Sequence, residues 1–269
     1  MRALLATIET GTGPVVLLVH GWGGFKEGWG CLPQALADAG FRAVAVDLPG
    51  WGESPAPRRF RHTPGAYADA LAPLAGRHAP VALVAHSMGM LPALVLSASA
   101  PELLSRIALI APAPLAVVGR ARRLAATPVL GPWLAAAGVA RSRRDRAAVL
   151  RAFAGAAAHP ERLGGDPRIA AAADAAVDRF IAAPAAVLGR SVHRALRTSA
   201  VELARRARHP TLVVVGEADR VGRPREAAEV ARALPDGGLA ILPDCGHFPF
   251  VECPDALTAT LVPHLRAGA

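Results

Sequence analysis

Val81-Ala82-Leu83-Val84-Ala85-His86-Ser87-Met88-Gly89-Met90 is the stretch on which the reading of this chain turns. The apolar residues before His86 suffice for a strand buried on both faces, and Leu91, Ala93, Leu94, Val95 and Leu96 continue as a segment long enough for a helix. A serine at such a strand-to-helix corner holds its hydroxyl away from both elements. The N-terminus of the helix behind it favours developing negative charge. The turn is tight, so its neighbours must be small, and Ala85 and Gly89 supply that. Alone, a Ser-Met-Gly turn suits many α/β proteins, so the rest of the chain has to decide.

Before this stretch, Val15-Val16-Leu17-Leu18-Val19 is a second buried strand, ending in His20-Gly21-Trp22-Gly23-Gly24. Three glycines in five residues let a loop bring backbone N–H groups close to a ligand. Residues 2–9 suit an edge strand and Leu32–Ala39 a helix, and Phe41–Asp47 is the next strand, running into the turn Leu48-Pro49-Gly50-Trp51-Gly52-Glu53-Ser54. A helix over Pro64–Arg77 and a strand over Ile107–Ala111 complete an alternation that predicts an α/β fold with a mostly parallel central sheet and helices on both faces. The alternation stops after Pro112. Residues 114–208 carry amphipathic, Ala- and Arg-rich segments (Arg144–Ala158, Arg168–Ile181, Ala185–Arg206) and no convincing strand. It resumes at Thr211-Leu212-Val213-Val214-Val215-Gly216-Glu217-Ala218-Asp219, followed by a helix around Glu226–Leu234, the strand Leu239–Leu242 and a last helix over about Pro254–Arg266. The expected division is therefore 1–113 and 209–269 as one core, with 114–208 inserted as a helical cap.

Composition narrows the function. No apolar run reaches the roughly 18 residues a membrane helix needs, and the charged N-terminus does not suit a signal peptide. Cys31, Cys245 and Cys253 are odd in number and lack the spacing of a metal site or a disulfide framework. These features predict a cytoplasmic protein that does not bind membranes. The net charge of +9 is uneven: residues 114–208 hold 17 Arg and 6 acids, and the remainder 13 Lys or Arg and 15 acids. With 4% aromatic residues and no reading module, that charge gives little support to nucleic-acid binding.

Three polar residues stand at the ends of expected strands, in the order Ser87, Asp219, His247. Serine is a weak nucleophile at neutral pH and needs a base within hydrogen-bond reach. Histidine suits that task, and a carboxylate on its far ring nitrogen fixes tautomer and orientation. Asp244 is the rival acid, but it lies only three residues from His247 on the same loop. The turn Ala111-Pro112-Ala113 offers no carboxylate. His20 and His86 are expected to be hydrogen-bonding neighbours rather than bases.

With His20-Gly21-Trp22-Gly23, Asp47-Leu48-Pro49-Gly50-Trp51-Gly52-Glu53-Ser54, Ala85-His86-Ser87-Met88-Gly89, Gly216-Glu217-Ala218-Asp219 and Gly246-His247-Phe248, the chain resembles the α/β-hydrolase superfamily over nearly its whole length. The resemblance implies Ser87 as nucleophile, His247 as base, Asp219 as its orienter and the backbone N–H groups of Trp22 and Met88 as the oxyanion hole. It places Trp51 and Phe248 against substrate. Ala85 departs from the glycine usual before the nucleophile, Met90 stands where many relatives have another glycine, and Pro92 removes an N–H early in the helix. Serine at the elbow excludes the branches that use Asp there. Trp29 and the Asp-Leu-Pro-Gly-Trp-Gly-Glu-Ser turn are similar to those of small carboxylesterases, including the biotin-pathway esterases acting on a pimeloyl methyl ester. The implied activity is hydrolysis of a modest carboxylic ester through an acyl-enzyme, with no cofactor and no metal. The substrate is free or carrier-protein-bound. Carbon–carbon bond hydrolysis and a non-catalytic receptor are the rival readings.

Overall fold

The computed structural model describes residues 5–113, 137, 140–141, 145–160 and 167–267, with side chains from 173 onward in the last stretch. Among these, seven strands form one sheet: β1 (Thr7–Thr10), β2 (Val15–Val19), β3 (Arg42–Val46), β4 (Val81–His86), β5 (Leu104–Ile110), β6 (Thr211–Gly216) and β7 (Gly237–Leu242). Their spatial order is β1-β3-β2-β4-β5-β6-β7, and only β1 is antiparallel to its neighbour. The N-terminal strand is shorter and later than expected, starting at Thr7.

β4 is buried along its whole length, as its unbroken apolar run demands. Its residues alternate between two cores: Leu83 and Ala85 pack on one face of the sheet, Ala82 and Val84 on the other. The first face is covered by α2 (Pro64–Gly76), α3 (Met90–Ser99) and, beyond β6, α8 (Pro224–Ala233). The second is covered by α1 (Leu32–Asp38) and the final helix α10 (Pro254–Arg266). Local signals set the helix ends. Thr63 caps α2 by accepting from Ala66 N, with Pro64 at the first helical position. Pro92 falls in the first turn of α3, where its missing N–H leaves no helical bond unmade.

Between β5 and β6 the described residues form only helices: α4 (Arg146–Ala154), α5 (Pro167–Ala182), α6 (Ala185–Leu196) and α7 (Ala200–Ala204). The single helix expected over Ala185–Arg206 is two. Thr198 Oγ1 donates to Arg194 O, and Ser199 accepts from Glu202 N, so this pair ends one helix and caps the next. Residues 114–136, 138–139, 142–144 and 161–166 of the expected cap lie outside the described residues, Arg143 and Arg144 among them.

The reading of the cysteines needs correction. Cys245 and Cys253 form a disulfide, with Cα atoms 6.3 Å apart, and Cys31 is free and exposed. A spacing of eight residues says nothing by itself. The turn into the short helix α9 (Pro249–Glu252) brings the two together. Among the described residues no helix is long and apolar enough to cross a membrane.

The backbone at the β4–α3 corner depends on Gly89. A Cβ there would lie 2.7 Å from the carbonyl oxygens of both Val19 and His20, atoms of the neighbouring strand end that cannot swing away. Gly89→Ala is therefore expected to destabilise the fold by about 1–3 kcal/mol, the usual range for overpacking. A thermal melt within 1 °C of wild type would contradict this.

Candidate active site

Parallel strands present their carboxyl ends along one edge of the sheet, where open α/β folds place their sites. Ser87 follows β4, Asp219 follows β6 and His247 follows β7. Ser87 adopts φ +50°, a left-handed conformation uncommon for a residue with a side chain and costing about 1–2 kcal/mol. The close fit around it explains why small neighbours are needed. Ala85 is fully buried in the core below, and a Cβ on Gly21 would come within 2.8 Å of Ser87 Cβ.

Three side chains from distant parts of the sequence form one chain of hydrogen bonds. His247 Nδ1 lies 2.9 Å from Asp219 Oδ2, and His247 Nε2 lies 3.1 Å from Ser87 Oγ. Asp219 Oδ1 also accepts from Val221 N at 2.7 Å and Gly222 N at 2.9 Å. A carboxylate only accepts, so Nδ1 carries the proton and Nε2 accepts from the serine hydroxyl. All three residues are buried. Asp244 lies elsewhere, its exposed carboxylate in contact with His159.

Residues 16–260 match the model of the alpha/beta hydrolase family. The chain belongs to the alpha/beta hydrolase family. It is 34% identical to a pimeloyl-[acyl-carrier protein] methyl ester esterase of Aromatoleum aromaticum over 252 residues, covering 90% of this chain and 94% of that one. A thermophilic esterase from Thermogutta terrifontis superposes with a TM-score of 0.77 at 26% identity, over 98% of this chain and 93% of the other. An esterase from Exiguobacterium antarcticum gives 0.80 at 20% identity over 98% of each chain, a likeness of fold alone.

In this alpha/beta hydrolase a cavity of about 370 Å³ opens on Ser87 and His247. Trp22, Met88 and Phe248 line it, with Val149, Phe153 and Phe180 from the helices between β5 and β6. Among the described residues that line it there is no Asp, Glu, Lys or Arg. Trp22 is tied to those helices: its Nε1 donates to Leu188 O at 3.1 Å, and its ring meets Phe180 edge-on at 5.1 Å.

Trp51, expected against substrate, is not brought to the cavity. It is buried in the core, with Nε1 donating to Tyr67 Oη at 3.1 Å. The loop after β3 turns it inward. Asp47 accepts from Lys26 N at 2.7 Å and Glu53 N at 2.8 Å, and Trp51 N donates to Leu48 O. Lys26 Nζ also contacts Asp47, Glu53 and Glu27. Burial works against the Lys26 charge, and these carboxylates outweigh it, holding its pKa above the ordinary lysine value. This ion cluster under the glycine loop was not foreseen from the sequence, since Lys26 and Asp47 are 21 residues apart.

His20 and His86 are both buried neighbours of the site. His20 Nδ1 donates to Gly21 O at 2.7 Å, and its Nε2 accepts from Leu48 N at 3.0 Å. His86 Nε2 donates to the carbonyl of His247 at 2.9 Å. Burial, reinforced by the nearby His247 ring, pushes the His86 pKa down to about 3, and burial also lowers that of His20. Away from the site, burial takes His62 down to about 4. These groups stay neutral in the fold but take up protons when unfolded below about pH 6.5. The unfolded state then binds more protons, so stability is full above that pH and is lost as pH falls. The expected loss is about 1.4 kcal/mol per pH unit for each such group. Melts between pH 7.5 and 4.5 check it, and a flat melting temperature would contradict it.

Proposed function

We propose that this chain is a serine hydrolase that cleaves a carboxylic ester through an acyl-enzyme. The observation that carries the reading is the Ser87–His247–Asp219 chain of hydrogen bonds at the floor of an apolar cavity. In this reading His247 Nε2 takes the Ser87 proton as Oγ attacks the ester carbonyl, and returns it to the departing alcohol. Asp219 holds the ring in the required tautomer and stabilises the imidazolium. The backbone N–H groups of Trp22 and Met88 receive the oxyanion, each worth roughly 3–4 kcal/mol. Water, activated by His247 in turn, then releases the acid. None of these steps calls for a metal or cofactor.

The apolar side chains of Trp22, Met88, Val149, Phe153, Phe180 and Phe248 around the cavity favour an uncharged acyl group, since burying an unpaired charge against them is costly. The Aromatoleum aromaticum relative is named for a methyl ester on a carrier-bound pimeloyl chain. By that likeness the substrate is a medium-length acyl ester, free or held on an acidic carrier protein. The helices between β5 and β6 then act as a cap, with 1–113 and 209–269 as the catalytic core. A cytoplasmic location belongs to the same reading. The Cys245–Cys253 bond stands against it, because disulfides are rare where thiols are kept reduced.

Fluorophosphonate labelling with a panel of p-nitrophenyl and methyl esters tests the reaction class. Labelling at Ser87 and turnover rising with acyl length support it, and an unlabelled, inactive protein leaves a receptor. The basic charge of residues 114–208 is tested by salt. Within the described part, Arg146 pairs with Asp174 and Asp178, whereas Arg190, Arg194 and Arg205 are exposed. If this charge steers an acidic carrier, kcat/KM for the carrier-bound ester falls several-fold between about 20 and about 500 mM salt, while a neutral ester barely responds. An equal response for both removes the carrier from the reading.

A further inference from the structure

We propose that Glu252 is a positioning residue for His247, and that its carboxylate couples the helical segment over the cavity to the histidine loop. The proposal rests on His247 acting as the general base. The Glu252 carboxylate is more than nine-tenths buried and accepts three backbone N–H groups. Oε2 accepts from Gly246 N at 3.0 Å and Ala158 N at 2.7 Å, and Oε1 accepts from Phe248 N at 2.9 Å. Gly246 and Phe248 flank His247, and Ala158 follows α4 in the segment between β5 and β6.

The backbone of His247 is itself fixed by that segment and by the end of β4. Its N–H donates to Ala156 O at 3.0 Å, and its carbonyl accepts from His86 Nε2 at 2.9 Å. The packing leaves no slack. A Cβ on Gly246 would lie 2.3 Å from Ala158 N and 2.9 Å from Glu252 Oε2. The Cys245–Cys253 disulfide closes the loop outside this clamp. Position 247 is thus held by one carboxylate inside a covalent ring, and that carboxylate also grips the segment that lines the cavity. Glu252 is not among the residues lining the cavity, and the hydrogen bonds of its carboxylate go to backbone N–H groups rather than to Ser87 or Asp219. Its effect on catalysis passes through the histidine backbone.

Glu252→Gln preserves volume and removes this pattern. A carboxylate can accept at both oxygens, whereas an amide accepts at one and presents N–H donors at the other. Turned either way, the amide faces at least one of the three backbone donors with a donor of its own. A displacement of about 1 Å at a catalytic group costs on the order of 10²-fold. The expected result for E252Q is a kcat 10- to 100-fold lower on a p-nitrophenyl ester, with KM within twofold of wild type. Fluorophosphonate labelling of Ser87 slows in proportion, at a temperature where circular dichroism shows the native fold. E252D keeps the charge at shorter reach and should recover part of the loss. Ala158→Pro removes the donor on the segment, so in the E252Q background it should add little to the loss.

A folded E252Q with wild-type kcat, or with KM raised and kcat unchanged, overturns the proposal. If E252Q does not fold at the assay temperature, E252D is read by the same criteria, and a kcat within twofold of wild type overturns it there. Full additivity of A158P and E252Q overturns the coupling to the segment. Failure of the wild-type protein to label at all strikes the general-base reading instead, so the two failures are distinguishable.

Discussion

Ser87→Ala is expected to abolish ester turnover, lowering kcat by on the order of 10⁶-fold while the fold persists. Alanine fits the corner because it is small, and the strain of φ +50° is met by both residues alike. What disappears is the Oγ that stands 3.1 Å from His247 Nε2, and no other hydroxyl lies within hydrogen-bond distance of that nitrogen among the described residues. His247→Ala is expected to be comparably inactive, because a serine without its base keeps its proton. Members of such a unit are strongly non-additive, so the double variant should be little worse than either single one. Steady-state assays, with melts to show that each variant is folded, check the series. Retention of more than a few per cent of wild-type kcat in Ser87→Ala would remove Ser87 as the nucleophile.

Asp219→Asn should lower kcat by on the order of 10⁴-fold, and the reason lies in proton placement. The amide oxygen can still accept from Val221 N and Gly222 N, which turns the NH2 towards His247 Nδ1. A donor facing Nδ1 drives the ring proton onto Nε2, which then cannot accept from Ser87. Asp244→Asn should cost less than tenfold, since that carboxylate is exposed and contacts His159 rather than His247. Parallel kinetics of the two variants decide between them. A large loss for Asp244→Asn with a small one for Asp219→Asn would put the acid on the histidine loop.

The fold was legible in the sequence wherever burial on both faces forces an apolar run. Val15–Val19, Val81–Ala85 and Thr211–Val215 identify themselves, because a central parallel strand tolerates little else. The positions of Ser87, Asp219 and His247 were legible for a related reason. Ser87 and Asp219 follow such strands, His247 follows the largely exposed edge strand β7, and parallel strands deliver their carboxyl ends to one edge. The helices between β5 and β6 were readable as helices by composition, but not the break at Thr198 and Ser199, which depends on side-chain bonds to local backbone.

Three features only the tertiary structure decided. Trp51 carries no mark in the sequence of which way it turns. Its direction follows from the Asp47 carboxylate folding the loop onto Lys26, and from a Tyr67 hydroxyl that satisfies the indole inside the core. Cys245 and Cys253 pair because α9 reverses the chain between them. Glu252, an ordinary acidic residue near the C-terminus by sequence, becomes the acceptor for three N–H groups because a segment nearly 100 residues earlier is packed against its loop. Patterns of burial act through neighbours one or two turns away and are written into the sequence locally. Which buried polar group meets which partner is fixed only when distant segments are packed together, and in this chain that holds for the acceptors around both Trp51 and His247.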